Sequence, residues 1–284
     1  MNKGKPSLGI YAIPDRNNLP YPEESHDHGL ALMDQGKVVK FLQLERKSRN
    51  KHDQHLPEYL YDMLKSEGLL PGDYDIAFTN NVLGNSMISN NGKLRLEGPV
   101  NKDLSSKPLK SHAYWLDQSR DAWMVNHELA HIFSTLPFYG EFPDNSLLIH
   151  FDGGASQSNF SAWVSKRKKI KLIEAHWKFE YLSSFFNANA LCFGIIGAKK
   201  EEQLAVPGKL MGLASYGSWS PEIEAWLQTN NWFSDIWGSK KMFFESAYRE
   251  FGWNENRLDS KDPFLQNILA TFHNIFVRDT LREI

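Results

Sequence analysis

The chain has 284 residues, 41% of them hydrophobic and 23% charged, enough for a sizeable core in one large domain or two lobes. A formal net charge of −2 offers no basic face for nucleic acid or an anionic membrane, and no uncharged apolar run reaches the length of a bilayer span. A single cysteine, Cys192, excludes an internal disulfide framework, and the first residues lack the apolar segment of a signal peptide, so a cytoplasmic location is expected.

In chain order the pattern predicts a mixed α/β protein. SLGIYAI (7–13) reads as a short strand, followed by a Pro-rich loop. HGLALMDQGKVVKFLQLER reads as two strands joined at Asp34-Gln35-Gly36. LPEYLYDMLKSEGL (56–69) reads as an amphipathic helix opened by Pro57 and ended near Gly68. YDIAFTN reads as a strand, and 80–112 as a polar, exposed excursion. Residues 119–136 read as helix. SLLIHFDGG (146–154) reads as a strand ending in a Gly turn, and NFSAWVSKRKKIKLIEAH as two strands around a solvated basic tip, Lys166–Lys169. YLSSFFNANALCFG reads as a helix, and PGKLMGLASYG (207–217) as a Gly-punctuated loop. From 220 onward the pattern is helical, and its tryptophans at that spacing point to a core. The last stretch, from Asp262-Pro263, is an amphipathic helix with apolar residues at Phe264, Leu265, Ile268, Leu269, Phe272, Ile275, Phe276 and Leu281. That face either docks on its own domain or marks the chain as part of a longer protein.

Residues 125–131, VNHELAH, contain His-Glu-x-x-His, the short mark of a zinc peptidase. On a helix, His127 and His131 share one face and can point at one ion, or can merely cap and hydrogen-bond without one. A peptidase needs Glu128 as base and a third ligand. The metzincin extension is absent, and the alternatives Glu141 and Glu174 fall in a loop and a strand. The motif makes a metal plausible without choosing the chemistry.

Four further stretches carry chemistry. His26-Asp27 precedes a strand. Glu45, Arg46, Arg49, Lys51, His52 and Asp53 crowd between a strand and a helix. HFDGGASQS ends a strand with Asp152, Gly153 and Gly154, and PGKLMGLASYG offers Lys209 among Gly208, Gly212 and Gly217. Glycines let a backbone approach an anion, and a carboxylate at a strand end commonly holds a metal or orients a nucleophile. Each stretch also has a bland reading as a turn, a wet surface or a loop contact.

Together these stretches resemble the O-carbamoyltransferases of the nodulation and antibiotic-tailoring type, whose catalytic region is similar to the tRNA threonylcarbamoyl-transfer proteins. The resemblance rests on Gly9-Ile10, His26-Asp27 and Gly36, then on Glu45-Arg46, Arg49, Lys51-His52-Asp53 and Pro57. It continues through Asn126-His127-Glu128-Leu129-Ala130-His131, Asp152-Gly153-Gly154, and Lys209-Leu210-Met211-Gly212-Leu213-Ala214-Ser215-Tyr216-Gly217. The order of the five motifs is more specific than any one of them. The longer loop between Ile10 and His26, and Ser215 where the family commonly has proline, depart from the pattern.

The resemblance implies an actin-like (ASKHA, RNase H-like) first lobe over 1–218 and a helical extension, 219–284, leading to a second lobe and a YrdC-like domain beyond this chain. It implies that carbamoyl phosphate and ATP give carbamoyl-adenylate elsewhere in the protein, and that a small hydroxylated acceptor attacks the intermediate here. In that scheme Fe(II) or Zn(II) is held by His127 and His131, with Asp152 completing or supporting the shell. His26 acts as base or binds the carbamoyl group, beside Asp27, and Lys51 offsets developing negative charge. Gly153, Gly154, Lys209 and Gly212 line the nucleotide side. A zinc peptidase and a non-catalytic nucleotide- or metal-binding lobe stand as alternatives.

Overall fold

The computed structural model describes residues 4–13, 26–80, 86–99, 103–152, 155–177, 206–230, 232 and 240–283. The chain divides into two compact units, Met1–Lys178 and Phe179–Ile284. Among the described residues no helix is long and apolar enough to cross a membrane.

The first unit is α/β, built on an eight-stranded mixed sheet. Its strands are β1 (Ser7–Tyr11), β2 (Gly29–Asp34), β3 (Lys37–Gln43), β4 (Asp75–Asn80), β5 (Ser86–Ile88), β6 (Leu94–Glu97), β7 (Leu109–Trp115) and β8 (Gln118–Asn126), in the order β3-β2-β1-β4-β8-β7-β6-β5. β1 pairs parallel with β4, and β4 parallel with β8; all other neighbours in this sheet are antiparallel. Helix α1 (Leu44–Ser48) follows β3, and α2 (Leu56–Ser66) buries Leu56, Leu60, Met63 and Leu64 with Leu8, Ile10, Ile76 and Phe78 of the sheet. Helix α3 (His127–Phe133) begins where β8 ends, and α4 (Leu136–Tyr139) follows it. A second sheet, ordered β11-β10-β9, comprises β9 (Leu147–Phe151), β10 (Phe160–Lys166) and β11 (Lys169–His176). Leu129 and Ile132 of α3 pack with Trp163 of β10.

Three hairpins of the first unit share one turn geometry. Gln35 and Gly36 have φ of 49° and 77°, Leu116 and Asp117 have 54° and 65°, and Arg167 and Lys168 have 51° and 61°. Left-handed backbone at both central residues is the type I′ turn, whose twist matches that of the flanking strands. The first and third turns fall where the sequence puts them. The second explains two corrections: a Leu-Asp turn carries no glycine or asparagine signal, so β7 and β8 go unread. The described part of 80–112 is not an exposed excursion, because Met87, Leu94 and Leu96 alternate with more exposed neighbours and enter the core. Residues 119–126 are strand rather than helix, and only 127–133 are helical.

The second unit is helical: α5 (Val206–Ala214), α6 (Pro221–Thr229), α7 (Lys240–Phe251) and α8 (Pro263–Glu283). The 207–217 stretch, read from its glycines as a loop, is therefore mostly helix. Val206 and Leu210 bury with Trp226, Phe243, Leu269 and Phe272, which places the unit boundary ahead of the one expected at 218/219. The helix expected over 181–194 lies outside the described residues. Asp262 caps α8 as its sequence suggested, Oδ1 accepting from the amides of Phe264 (2.9 Å) and Leu265 (3.0 Å). The apolar face of α8 docks within its own unit, with Leu265, Ile268, Leu269, Phe272 and Ile275 buried.

Gly217 sits so close to α8 that a Cβ there would lie 2.1 Å from the carbonyl oxygen of Gln266. That neighbour is helix backbone and cannot rotate away. Gly217→Ala should therefore destabilise the helical unit by about 1–3 kcal/mol, read as a lowered denaturation midpoint. An unchanged midpoint would place α8 elsewhere.

Candidate metal centre

Asn126 is the last residue of β8 and is buried, and His127 opens α3. One helical turn later His131 stands on the same face, and its Nε2 lies 2.9 Å from that of His127. Asp152 follows β9, and its Oδ2 lies 3.1 Å from His127 Nε2 and 3.3 Å from His131 Nε2. Two ligand atoms each about 2.1 Å from one ion, subtending 90–110°, are roughly 3.0–3.4 Å apart. The three separations match that spacing, and two imidazole nitrogens at 2.9 Å cannot both carry a proton toward each other. His127, His131 and Asp152 thus fit a divalent ion by geometry and by donor type. Burial alone would raise the Asp152 carboxyl, but hydrogen bonds from His127 and His131 hold it well below the usual carboxylate range.

Glu128, between the two histidines, is fully buried and faces other work. Its Oε1 accepts the amide N–H of Gln157 (2.7 Å), the amide N–H of Ser158 (3.1 Å) and the Ser158 hydroxyl (3.3 Å). The His127 amide donates to Ser156 Oγ at 3.1 Å, and the Asp152 amide to the Asn159 carbonyl at 2.9 Å. The segment after Asp152 is thereby tied to the first turn of α3. Gly153 and Gly154, expected on the nucleotide side, lie outside the described residues.

Asp152 has a neighbour two residues back on the same face of β9. His150 is 4% exposed, and its ring centroid lies 5.1 Å from that of His131 and 6.4 Å from that of His127. Burial pushes its pKa down to about 4, so the ring is neutral at physiological pH. A cleft of about 340 Å³ opens beside these rings, lined by His131, Ile132, Phe142, Leu148 and His150 among others.

A second polar cluster gathers His26, Asp27 and His52. Asp27 Oδ2 accepts from His26 Nδ1 at 2.8 Å, and Oδ1 from His52 Nδ1 at 3.1 Å. The His26 contact, first, and the charges and hydrogen bond of His52 hold the Asp27 carboxyl below its usual range despite partial burial. Asp27 and His52 both adopt left-handed backbone, φ 56° and 55°, an uncommon state for residues with a side chain. Beneath them buried Asp53 accepts from the amide and Nδ1 of His55 at 2.9 and 2.8 Å, and its carbonyl takes the His28 amide. Buried His28 is pushed down to about 4, chiefly by desolvation. Lys51 occupies the exposed turn beside His52.

The sequence reading thus places His127, His131 and Asp152 together, and His26 with Asp27. It missed His52 as the second partner of Asp27, and His150 and Ser156 at the triad. Two signals were available for the histidines: the paired strings HDH and HDQH, and the i, i+2 spacing of His150, on β9, and Asp152, which follows it. Lys209 and Gly212 belong to the second unit, on α5, where Gly212 is exposed with open space at its Cβ position. No protein-family model matches the sequence, and no curated protein matches it either.

Two outcomes check this geometry. Isothermal titration should find one Zn(II) or Fe(II) per chain, with affinity reduced at least about a hundredfold by Asp152→Ala or His131→Ala, given that even supporting residues are worth 10–100-fold. Glu128→Ala strips three hydrogen bonds from a buried carboxylate and should lower stability by about 2–4 kcal/mol in denaturant titration, whereas Glu128→Gln, which keeps an acceptor at Oε1, should cost less.

Proposed function

We propose that the chain is the first lobe of an O-carbamoyltransferase, passing a carbamoyl group from carbamoyl-adenylate to a hydroxyl of a small-molecule acceptor. The observation that carries this reading is the position of two polar clusters off one end of one sheet. Gly29 pairs with Tyr11 at the carboxyl end of β1, and Asn80 pairs with Asn126 at the carboxyl ends of β4 and β8. His26–His28 and His127 therefore stand beyond the same edge, about 14 Å apart by three strand spacings of about 4.8 Å. Crevices outside the carboxyl ends of parallel strands are where α/β sheets bind ligands. On this reading the β3-β2-β1-β4-β8 part of the sheet is the RNase H-like core of an actin-like lobe.

The acceptor oxygen attacks the carbamoyl carbon. The new C–O bond forms as the bond to the adenylate phosphate breaks, AMP departs with that oxygen, and the acceptor proton passes to His26. Asp27 supports this transfer by accepting His26 Nδ1–H, which fixes the tautomer able to take a proton at Nε2. Fe(II) or Zn(II) at His127, His131 and Asp152 supplies Lewis acidity toward a donor oxygen. Lys51 offsets negative charge on the leaving group. A longer protein containing this chain supplies the second lobe and the YrdC-like domain that makes carbamoyl-adenylate from carbamoyl phosphate and ATP. The burial of Glu128 and its three hydrogen bonds to the 157–158 segment weigh against its use as the base of a zinc peptidase.

The full-length protein, given carbamoyl phosphate, ATP and a panel of hydroxylated acceptors, should release AMP in an acceptor-dependent manner. His26→Ala should slow that release by about 10²–10⁴-fold, the usual worth of a general base. No AMP with any acceptor would sink the transferase reading and favour a binding lobe.

A further inference from the structure

One buried polar atom beside the triad has no partner. His150 Nε2 is sealed from solvent and makes no hydrogen bond among the described residues. Its other nitrogen is in a chain of defined polarity. The indole Nε1–H of Trp163, a donor only, gives its proton to Ser161 Oγ at 2.9 Å. Ser161 is fully buried, and among the described residues the only other hydrogen-bond partner of its hydroxyl is His150 Nδ1 at 3.3 Å. The hydroxyl proton therefore goes to Nδ1, because the opposite tautomer would leave a buried hydroxyl without an acceptor. Trp163 to Ser161 to His150 thus fixes the proton on Nε2. A neutral imidazole carrying that proton cannot ligate an ion through Nε2, but it can donate.

We propose that His150 is the hydrogen-bond donor for an oxyanion ligand held at the His127–His131–Asp152 centre. This rests on the metal-centre reading and extends it. The chain contributes a preoriented N–H beside the ligand side chains, and such a donor favours an oxygen bearing negative charge. The ligand class is a carboxylate-like or phosphoryl oxygen; an amine or thioether has no acceptor of matching strength to offer.

The test uses the full chain loaded with one equivalent of Co(II), whose visible absorption reports its ligands, titrated with inorganic phosphate and in parallel with acetate. His150→Phe should keep one Co(II) per chain and weaken at least one of the two anions about tenfold, the worth of one charge-assisted hydrogen bond. The anion more affected identifies a tetrahedral or a planar oxygen. His150→Gln, which restores a donor, should recover most of the affinity, and Ser161→Ala, which frees the tautomer, should fall between. If His150→Phe fails to fold by circular dichroism, the Gln and Ala variants decide by the same ordering. Loss of Co(II) from a folded His150 variant would make His150 a ligand and overturn the proposal. So would unchanged affinity for both anions. Failure of the unaltered chain to bind Co(II) would instead overturn the triad itself.

Discussion

The carboxylate of Glu128 accepts the amide protons of Gln157 and Ser158, and the relation of Asp152 to the two histidines depends on that tie. Helix geometry alone puts His127 and His131 on one face, because residues four apart are neighbours. Nothing comparable fixes Asp152, which arrives from the end of β9 and must be held at the right distance by something else. Its direct contacts with the histidines are weak candidates, since Asp152 is one-third exposed and such pairs are worth about 1 kcal/mol or less. The Glu128 contacts are buried, and leaving their partners unsatisfied costs more. With the Ser156 and Asn159 bonds they position the segment after β9 and so bring Asp152 beside the two histidines.

A similar division of labour governs the His26 cluster. The functional-looking pair, His26 and Asp27, is half exposed, while the groups that shape it are buried: Asp53 and His28 lie beneath, and the His28 carbonyl takes the Leu44 amide at the foot of α1. Left-handed backbone at Asp27 and His52 persists because these surroundings over-determine it. Both clusters therefore consist of solvent-facing donors and acceptors carried on a dry, hydrogen-bonded support. The parallel registers of β1, β4 and β8 set the two supports at one level of the sheet.

How much of this was legible in the sequence depended on whether local chemistry announced itself. The Asp34-Gln35-Gly36 and Lys166–Lys169 turns did, by glycine or by a solvated charge run, and so did the Asp262-Pro263 start of α8. The β7–β8 turn did not, because Leu116 and Asp117 adopt left-handed backbone without a residue that favours it, held there by the flanking ladder. Losing that turn merged β8 into the helical pattern of HELAHIF and left β5 to β7 looking like a polar loop. The α5 error has the opposite cause. Gly208 and Gly212 suggested a loop, yet burial of Val206 and Leu210 against the other helices outweighs the propensity cost of about 1 kcal/mol per glycine. His127 and His131 were legible because side-chain type and i, i+4 spacing carry them, whereas Asp152 was joined to them only by the family resemblance. His52 and His150 carried only weak local signals, the HDH and HDQH strings and the spacing of His150 to Asp152, because the side chains they meet on distant segments are brought near by the fold.

The position of Glu128 shows why a five-residue string cannot choose between chemistries. On a helix advancing about 100° per residue, His131 lies about 40° from His127 while the residue after His127 lies about 100° away. A carboxylate there stands on the shoulder of the histidine face, and its neighbours decide whether it leans toward the ion or away. In this chain the 157–158 segment presents two amides and a hydroxyl on the far side, and the carboxylate takes them. The Oε1 atom of Glu128 thus holds the segment that follows the third ligand, while Oε2 is buried and takes no part in that tie, so the residue that a peptidase string marks as a base serves here to position Asp152.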